Sequence, residues 1–143
     1  MKNKLAFAIA IAAEQFKNTF DKSGQPYILH CIRVMNSVNQ NDSELMQIAI
    51  LHDVPEDTEI KLEHLRRYGF SDRVLEAVKL LTHDDPNLSY DDYIKRIGTN
   101  KDATAVKLAD LIDNSNITRL KGLRKKDLER MEKYHRSFIY LSN

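Results

Sequence analysis

The stretch LHDVPEDT, residues 51–58, concentrates acidic and imidazole side chains within six positions. These side chains are His52, Asp53, Glu56 and Asp57. The stretch closes an apolar segment, SELMQIAILHD, whose spacing predicts a helix. Pro55 has no N–H and disfavours helix in the residue before it, so the sequence predicts that the helix ends there. The His–Asp pair then lies at a helix end, and the acidic pair lies in the turn that follows.

A histidine and an aspartate side by side at a helix end can both reach one metal ion. A charged helix C-terminus followed by a solvated acidic turn would produce the same pattern of residues. A short motif does not decide between these interpretations. A metal site therefore requires further ligands from elsewhere in the chain.

Composition restricts the class of protein. The 143 residues suffice for one domain with a sizeable core, and we predict a single domain over residues 1–143. Charged residues make up 30% and hydrophobic residues 42%, which is typical of a globular protein. The net charge of +1 gives no general polyanion signal, so we expect neither a nucleic-acid nor a membrane partner. The single cysteine, Cys31, excludes a disulfide framework and fits a reducing compartment.

The N-terminal run MKNKLAFAIAIAA allows two interpretations. Its basic start, apolar middle and small residues outline a short signal peptide. It also continues without a break into polar helical residues and on to Phe16 and Phe20, which indicates a buried first helix. We favour the helix and therefore predict a cytoplasmic protein. No stretch reaches the roughly 18 apolar residues that a membrane-spanning helix requires.

The remaining pattern predicts helices, and no run alternates convincingly as a strand. We expect a first helix over residues 4–20, a second opened by Pro26, and a central helix capped by Ser43. Ser71 and Ser89 are N-cap candidates for two later helices, and the last helix is predicted over residues 123–141. The fold class that follows is all-α, in one compact helical bundle.

Two further residues could complete a metal site. His30 lies in YILHCIRVM and Asp110 lies in VKLADLIDN, both with apolar flanks. Taken alone, His30 could be a satisfied core histidine, and Asp110 could be exposed or paired with Lys107. A buried carboxylate must be paired or bound to a cation. Together with the His–Asp pair at 52 and 53, these residues make a mixed N/O set suited to Mn, Fe, Co or Zn rather than Ca.

The order of these motifs resembles the HD-domain metal-dependent phosphohydrolases. The resemblance is closer to one branch, the RelA/SpoT-type alarmone hydrolase domains and the stand-alone small alarmone hydrolases. KSGQPYILH is similar to that branch's K-S/D-G-x-PYI-x-H, LHDVPEDT to its LHDxxEDT, and VKLADLIDN to its KLADRxxN. The segments occur in the same order and cover the chain from the first helix to about Leu120.

The resemblance implies a helical HD-domain bundle that acts as a guanosine-3′,5′-bis(diphosphate) 3′-diphosphatase through a metal-activated water. It assigns one divalent metal, in this branch usually Mn²⁺, to His30, His52, Asp53 and Asp110. It assigns the orientation and activation of the attacking water to Glu56 and Asp57. It assigns contacts with the nucleotide substrate to Lys22, Ser23 and Asn114.

The chain departs from the family pattern at three places. The family commonly has arginine where this chain has Asp21 and Leu111, and proline where it has Cys31. Because arginine can stack on a base and fork onto phosphate, we predict weaker activity on guanosine tetraphosphate than in members with both arginines. The alternatives are an HD phosphohydrolase acting on another nucleotide and a non-catalytic nucleotide-binding regulatory module. The sequence does not indicate an oligomeric state.

A second His/Asp set, His83, Asp84 and Asp85, lies in a proline-containing loop. We interpret these residues as solvated or as part of a site's rim. His64 and His135 lie among charged helical residues, which predicts surface positions.

Overall fold

The computed structural model describes residues 3–143, so the basic start at Met1 and Lys2 lies outside the described residues. The helices are α1 Lys4–Gln15, α2 Ile28–Asn36, α3 Ser43–Leu51, α4 Val54–Asp57, α5 Leu62–Arg67, α6 Asp72–Leu81, α7 Tyr90–Ile97, α8 Lys101–Asn114, a 3₁₀ helix Ile117–Arg119, and α9 Lys125–Ser142. Within residues 3–143 no strand forms beyond one isolated bridge between Phe20 and Pro26. The predicted all-α fold class is confirmed. None of these helices is both long and apolar enough to cross a bilayer.

Helix α3 lies at the centre of the bundle and packs against α1, α2, α6 and α8. Its sequence is apolar on almost every side, which is typical of a helix surrounded by others. Ile48, Ile50 and Leu51 have no exposed area, and they join the core with apolar residues of the surrounding helices. This burial fixes the end of α3, and therefore the residues that follow Leu51, deep inside the bundle.

Serine caps are confirmed at two helices and wrong at a third. Ser71 accepts a hydrogen bond from the Val74 N–H, and Ser89 accepts one from the Asp92 N–H. Helix α3 is capped by Asp42 instead of Ser43, because the Asp42 side chain accepts from the N–H of Leu45. Aspartate and serine cap almost equally well, so local sequence does not choose between neighbours.

Three predicted helix boundaries differ from the observed ones. Helix α1 ends at Gln15 instead of Phe20, and α2 begins at Ile28 instead of Pro26. Between them the chain turns back on itself, with the Tyr27 N–H donating to the Thr19 carbonyl at 2.8 Å. Gly24 occupies the turn with a φ of +85°, a conformation that glycine adopts without strain. The last helix is likewise displaced, to Lys125–Ser142.

Pro55 does not lie in an open turn. Helix α3 ends at Leu51, four residues before Pro55, so the proline does not end it. Pro55 is the second residue of the short helix α4. Proline is tolerated there because the first N–H groups of a helix have no partner within it. Glu56 and Asp57 therefore lie on a short helix, which corrects the turn predicted after Pro55. The chain bends at His52 and Asp53, between the two helices.

Candidate metal centre

Four side chains from three parts of the chain converge inside the bundle. They are His30 from α2, His52 and Asp53 from the junction of α3 and α4, and Asp110 from α8. One donor atom from each residue lies within 4.8 Å of the others. His52 Nε2 is 3.1 Å from Asp53 Oδ2 and 3.3 Å from Asp110 Oδ1. The structure thus brings together all four residues of the predicted ligand set.

The hydrogen bonds of both imidazoles direct a lone pair into this cluster. His52 Nδ1 lies 2.6 Å from the Ala49 carbonyl oxygen, which can only accept, so Nδ1 carries the proton. His30 Nδ1 lies 2.6 Å from Asp113 Oδ2, an ionised carboxylate that likewise accepts. In the neutral rings both Nε2 atoms are then free to bind a cation. His30 Nε2 is buried and makes no hydrogen bond, although Asp110 Oδ1 lies 3.0 Å away.

The carboxylates of the cluster are also held in place. The Tyr27 hydroxyl donates to Asp53 Oδ2. Lys107 Nζ donates to Asp110 Oδ2 at 2.9 Å, and Asn114 Nδ2 donates to Asp110 Oδ1 at 3.1 Å. Such outer contacts orient ligand side chains and tune their basicity in metal sites. Each of the four converging residues therefore has a partner that fixes its orientation.

Electrostatics inside the cluster favour positive charge. Burial alone would raise the pKa of Asp110, but Lys107 and the two imidazoles hold it well below its ordinary value. Burial would lower the pKa of His52, but the Asp53 and Asp110 carboxylates raise it well above its ordinary value. Carboxylates and imidazoles that share protons in this way are suited to exchange those protons for a metal ion.

The donor set fits a divalent metal. Two imidazole nitrogens and two carboxylate oxygens suit a transition metal better than calcium, which prefers six to eight oxygen ligands. The unpartnered nitrogen of His30 supports the same conclusion, because a buried polar atom without a partner is costly unless a ligand satisfies it. These residues could therefore hold a metal.

Glu56 and Asp57 project from α4, directly after the metal cluster. The backbone N–H of His83 donates to Glu56 Oε1 at 2.6 Å and fixes that side chain. Loss of hydration raises the pKa of Glu56, and the Asp53 carboxylate adds to the shift. Loss of hydration together with the Asp53 and Glu56 carboxylates raises the pKa of Asp57 to about 6. Both groups are therefore stronger bases than ordinary carboxylates.

The loop after α6 forms a rim beside Glu56. His83 stacks on Tyr93 with ring centroids 4.6 Å apart, and its Nε2 lies 2.7 Å from the Leu88 carbonyl oxygen. Asp84 and Asp85 are exposed. None of these three acidic and imidazole residues joins the metal cluster. His135 is exposed as predicted, whereas His64 is half-exposed, and its Nδ1 accepts from the Lys61 N–H.

A pocket of about 350 Å³ adjoins the cluster. Its walls come from the loop after α1, the end of α8, the 3₁₀ helix and α9, and include Lys22, Ser23, Tyr27, Asn114, Arg119, Arg130 and Tyr134. The three predicted substrate residues thus line one cavity. Tyr27 and Asn114 also contact the Asp53 and Asp110 carboxylates, so these two side chains separate the cavity from the candidate metal centre.

The pocket is basic despite the two missing arginines. Burial and the nearby Arg130 lower the pKa of Lys22, which indicates a concentration of positive charge. Asp21 is turned into its own loop, where Oδ1 accepts from the Ser23 and Gln25 N–H groups, each at 2.9 Å. Leu111 is 1% exposed and lies in the core, so its side chain does not line the pocket, and the weaker activity on guanosine tetraphosphate stays a prediction. Arg119 and Arg130 supply cationic groups instead.

Comparison with known proteins identifies the fold. No protein-family model matches the chain. A solved structure, described as a metazoan ortholog of SpoT that hydrolyzes ppGpp and plays a role in starvation responses, matches with a TM-score of 0.78. The match covers 99% of this chain and 86% of that one at 22% sequence identity. The chain has the fold of this SpoT ortholog. At this identity the likeness concerns the fold alone, and it agrees with the helical RelA/SpoT-type architecture that the motifs predicted.

Within this RelA/SpoT-type fold, several side chains at the candidate site were missed by the sequence analysis. They are Tyr27, Asp113, Arg119, Arg130 and Tyr134. Tyr27 lies inside the quoted motif KSGQPYILH, so its position three residues before His30 could have indicated a neighbour of the site. Asp113 likewise lies inside a quoted motif, VKLADLIDN, three residues after Asp110. Arg130 and Tyr134 lie in the last helix, whose charge pattern is that of an ordinary solvated helix.

Proposed function

We propose that this protein is a metal-dependent nucleotide phosphohydrolase. The proposed reaction is removal of the 3′-diphosphate from guanosine 3′,5′-bis(diphosphate), giving GDP and pyrophosphate. The observation that carries the proposal is the convergence of His30, His52, Asp53 and Asp110 beside a basic pocket of nucleotide size. The RelA/SpoT-type fold and the motif resemblance support the same reaction.

The proposed cofactor is one divalent ion, Mn²⁺ by resemblance, held by the four converging side chains. When bound, such an ion lowers the pKa of a coordinated water towards about 7 and polarises a phosphoryl oxygen. The protein's part is to present two imidazole lone pairs and two carboxylate oxygens in fixed orientations. Hydrogen bonds provide that orientation: the imidazoles bond to the Ala49 carbonyl and to Asp113, and the carboxylates accept from Tyr27 and Lys107.

Glu56 is proposed as the general base. Its pKa is raised, so its carboxylate takes a proton from the attacking water more readily than an exposed glutamate would. The N–H of His83 holds one oxygen at 2.6 Å, which leaves the other oxygen available for the water. Asp57, whose pKa is raised to about 6, is proposed to orient the water or to pass the proton to solvent.

The pocket is proposed to hold the nucleotide. Lys22, Arg119 and Arg130 carry positive charge on its walls and would neutralise diphosphate oxygens. The rings of Tyr27 and Tyr134 offer flat apolar faces on which a base can stack. Asn114 bridges the pocket and Asp110, which would place the 3′ side of the ribose next to the metal cluster.

One observation favours hydrolysis of another nucleotide as a second candidate. Asp21 lies on the pocket wall, where the branch commonly has arginine. Its negative charge weakens the field of Arg119 and so reduces the advantage of a substrate with four phosphates over one with fewer. This second candidate uses the same metal centre and the same base.

The test is a release assay for phosphate and pyrophosphate over a panel of nucleotides with Mn²⁺. We expect pyrophosphate and GDP from guanosine 3′,5′-bis(diphosphate). Faster cleavage of another nucleotide would replace the proposed substrate with that one. A protein that binds Mn²⁺ and nucleotides but cleaves none of the panel would be a regulatory module, which contradicts the proposal.

A further inference from the structure

Asp113 is the most heavily bonded carboxylate near the candidate site, although it does not belong to the ligand set. Its Oδ2 accepts from His30 Nδ1 at 2.6 Å and from Arg33 Nη2 at 3.1 Å. Its Oδ1 accepts from Arg33 Nε at 2.7 Å and from Arg119 Nη1 at 3.2 Å. The side chain is only 13% exposed. Two guanidinium groups therefore hold this carboxylate against the imidazole.

The His30 ring is placed between two carboxylates of the same helix. Asp110 and Asp113 are three residues apart on α8, so both face α2. Asp113 Oδ2 accepts a hydrogen bond from His30 Nδ1, while His30 Nε2 lies 3.0 Å from Asp110 Oδ1. A carboxylate that accepts the second N–H of a ligand histidine fixes its tautomer and makes it a better ligand.

Arg119 connects this arrangement with the pocket. Its Nη1 bonds to Asp113 Oδ1, and its Nη2 donates to the Asp113 carbonyl oxygen at 2.8 Å. Arg119 also lines the pocket, whereas Arg33 bonds to Asp113 without lining it. Both arginines thus hold the Asp113 carboxylate, and of these two only Arg119 also lines the pocket.

We propose that Asp113 is a positioning residue for His30, and that Arg119 both holds Asp113 and binds the anionic part of the nucleotide. The first half concerns the metal affinity of the protein alone. The second half rests on the proposed function, because it requires a phosphate-bearing ligand in the pocket. Together they make the substrate pocket and the metal centre share one side chain.

The first experiment measures Mn²⁺ affinity without nucleotide, by electron paramagnetic resonance of the free ion. Asp113→Asn keeps an acceptor but loses the charge, and we expect about a 10-fold weaker affinity; Asp113→Leu loses both, and we expect up to about 100-fold. The control is Asp102→Asn, which removes another half-buried aspartate of α8 that pairs with Arg73. The control should bind Mn²⁺ as the wild type does.

A spectroscopic measurement separates positioning from general support of the fold. Long-range ¹H–¹⁵N NMR of His30 in the metal-free protein, recorded at a pH at which the ring is neutral, should show the Nδ1–H tautomer in the wild type and a mixture in Asp113→Leu. If Asp113→Leu does not fold, the Mn²⁺ affinity of Asp113→Asn tests the proposal instead. Wild-type Mn²⁺ affinity in a folded Asp113→Asn variant would overturn the proposal.

The second experiment compares Arg119→Gln with Arg33→Gln. Both changes should weaken Mn²⁺ binding, because both loosen Asp113. Only Arg119→Gln should also weaken the binding of GDP to the metal-free protein, by about 10-fold or more for one lost charge-assisted contact. Unchanged Mn²⁺ affinity in Arg119→Gln, or equal loss of GDP affinity in both variants, would refute the shared role of Arg119. Neither measurement depends on turnover, so an absent hydrolase activity would not be mistaken for failure here.

Discussion

Replacement of Lys107 by methionine tests the charge balance of the cluster. Lys107 Nζ lies 2.9 Å from Asp110 Oδ2, and the two side chains are 12% and 5% exposed. The ammonium also lies 5.3 Å from the centroid of the Tyr93 ring. Methionine has a similar length and can occupy the same space, so the change removes mainly the charge.

The expected loss of stability follows from the burial of this pair. Removing one partner of a buried ion pair costs about 3–5 kcal/mol, because the remaining charge stays uncompensated. Asn114 still donates to Asp110, and the imidazoles can supply a proton, so we expect the lower end, about 3 kcal/mol, in metal-free protein. At about 2–4 °C for each kcal/mol, the melting temperature should fall by roughly 6–12 °C.

The chain offers a matched control at its surface. Lys17 and Glu14 have the same spacing of three residues and a distance of 2.7 Å, but their side chains are 59% and 66% exposed. Exposed pairs contribute about 0–1 kcal/mol, so Lys17→Met should leave stability nearly unchanged. The assay is urea unfolding with EDTA at neutral pH, and then with saturating Mn²⁺, which should reduce the cost of Lys107→Met by compensating Asp110. If Lys107→Met and Lys17→Met lost equal amounts of free energy of unfolding, burial would not explain the effect of Lys107.

Three further predictions concern catalysis, pH and metal. Glu56→Gln should lower pyrophosphate release by about 10²-fold or more while Mn²⁺ affinity stays near that of the wild type; equal losses of both would make Glu56 a structural residue. Because the pKa of His52 is raised in the folded protein, its protonation stabilises the metal-free fold fully below about pH 6.5, and this stability is lost as the pH rises through the folded pKa. The urea midpoint in EDTA should therefore fall as the pH rises above about 6.5, and a rising midpoint would contradict the charge assignment. Mn²⁺ at 100 times its dissociation constant should add about 2.7 kcal/mol to the free energy of unfolding, and Asp110→Asn should abolish most of that gain.

Local patterns predicted the parts of the structure that local interactions determine. Ser71 and Ser89 cap their helices because the cap bond closes within three residues. His52 and Asp53 are adjacent in the chain and could hardly lie apart. The convergence of His30 and Asp110 depends on tertiary packing, and their apolar flanks indicated it because a buried polar group needs a partner.

The errors have a common physical cause, which is packing between distant segments. Leu111 follows Asp110 directly, but one residue along a helix turns the side chain by about 100°, so Leu111 faces the core. Asp113 is separated from His30 by 83 positions, and only its spacing of three residues from Asp110 on α8 indicates the contact. Arg119 and Asp113 meet only because the chain folds into a 3₁₀ helix after α8.

The most direct test of the metal-dependent hydrolase proposal measures occupancy and rate on the same samples. Mn²⁺ is titrated into the metal-free protein, bound Mn²⁺ is counted by electron paramagnetic resonance, and pyrophosphate release from guanosine 3′,5′-bis(diphosphate) is followed in parallel. We predict that the rate rises in proportion to the filling of one site, and that Asp110→Asn loses both together. A rate that does not follow occupancy, or full occupancy of one site with no hydrolysis, would contradict the proposal that the four converging side chains form the catalytic centre.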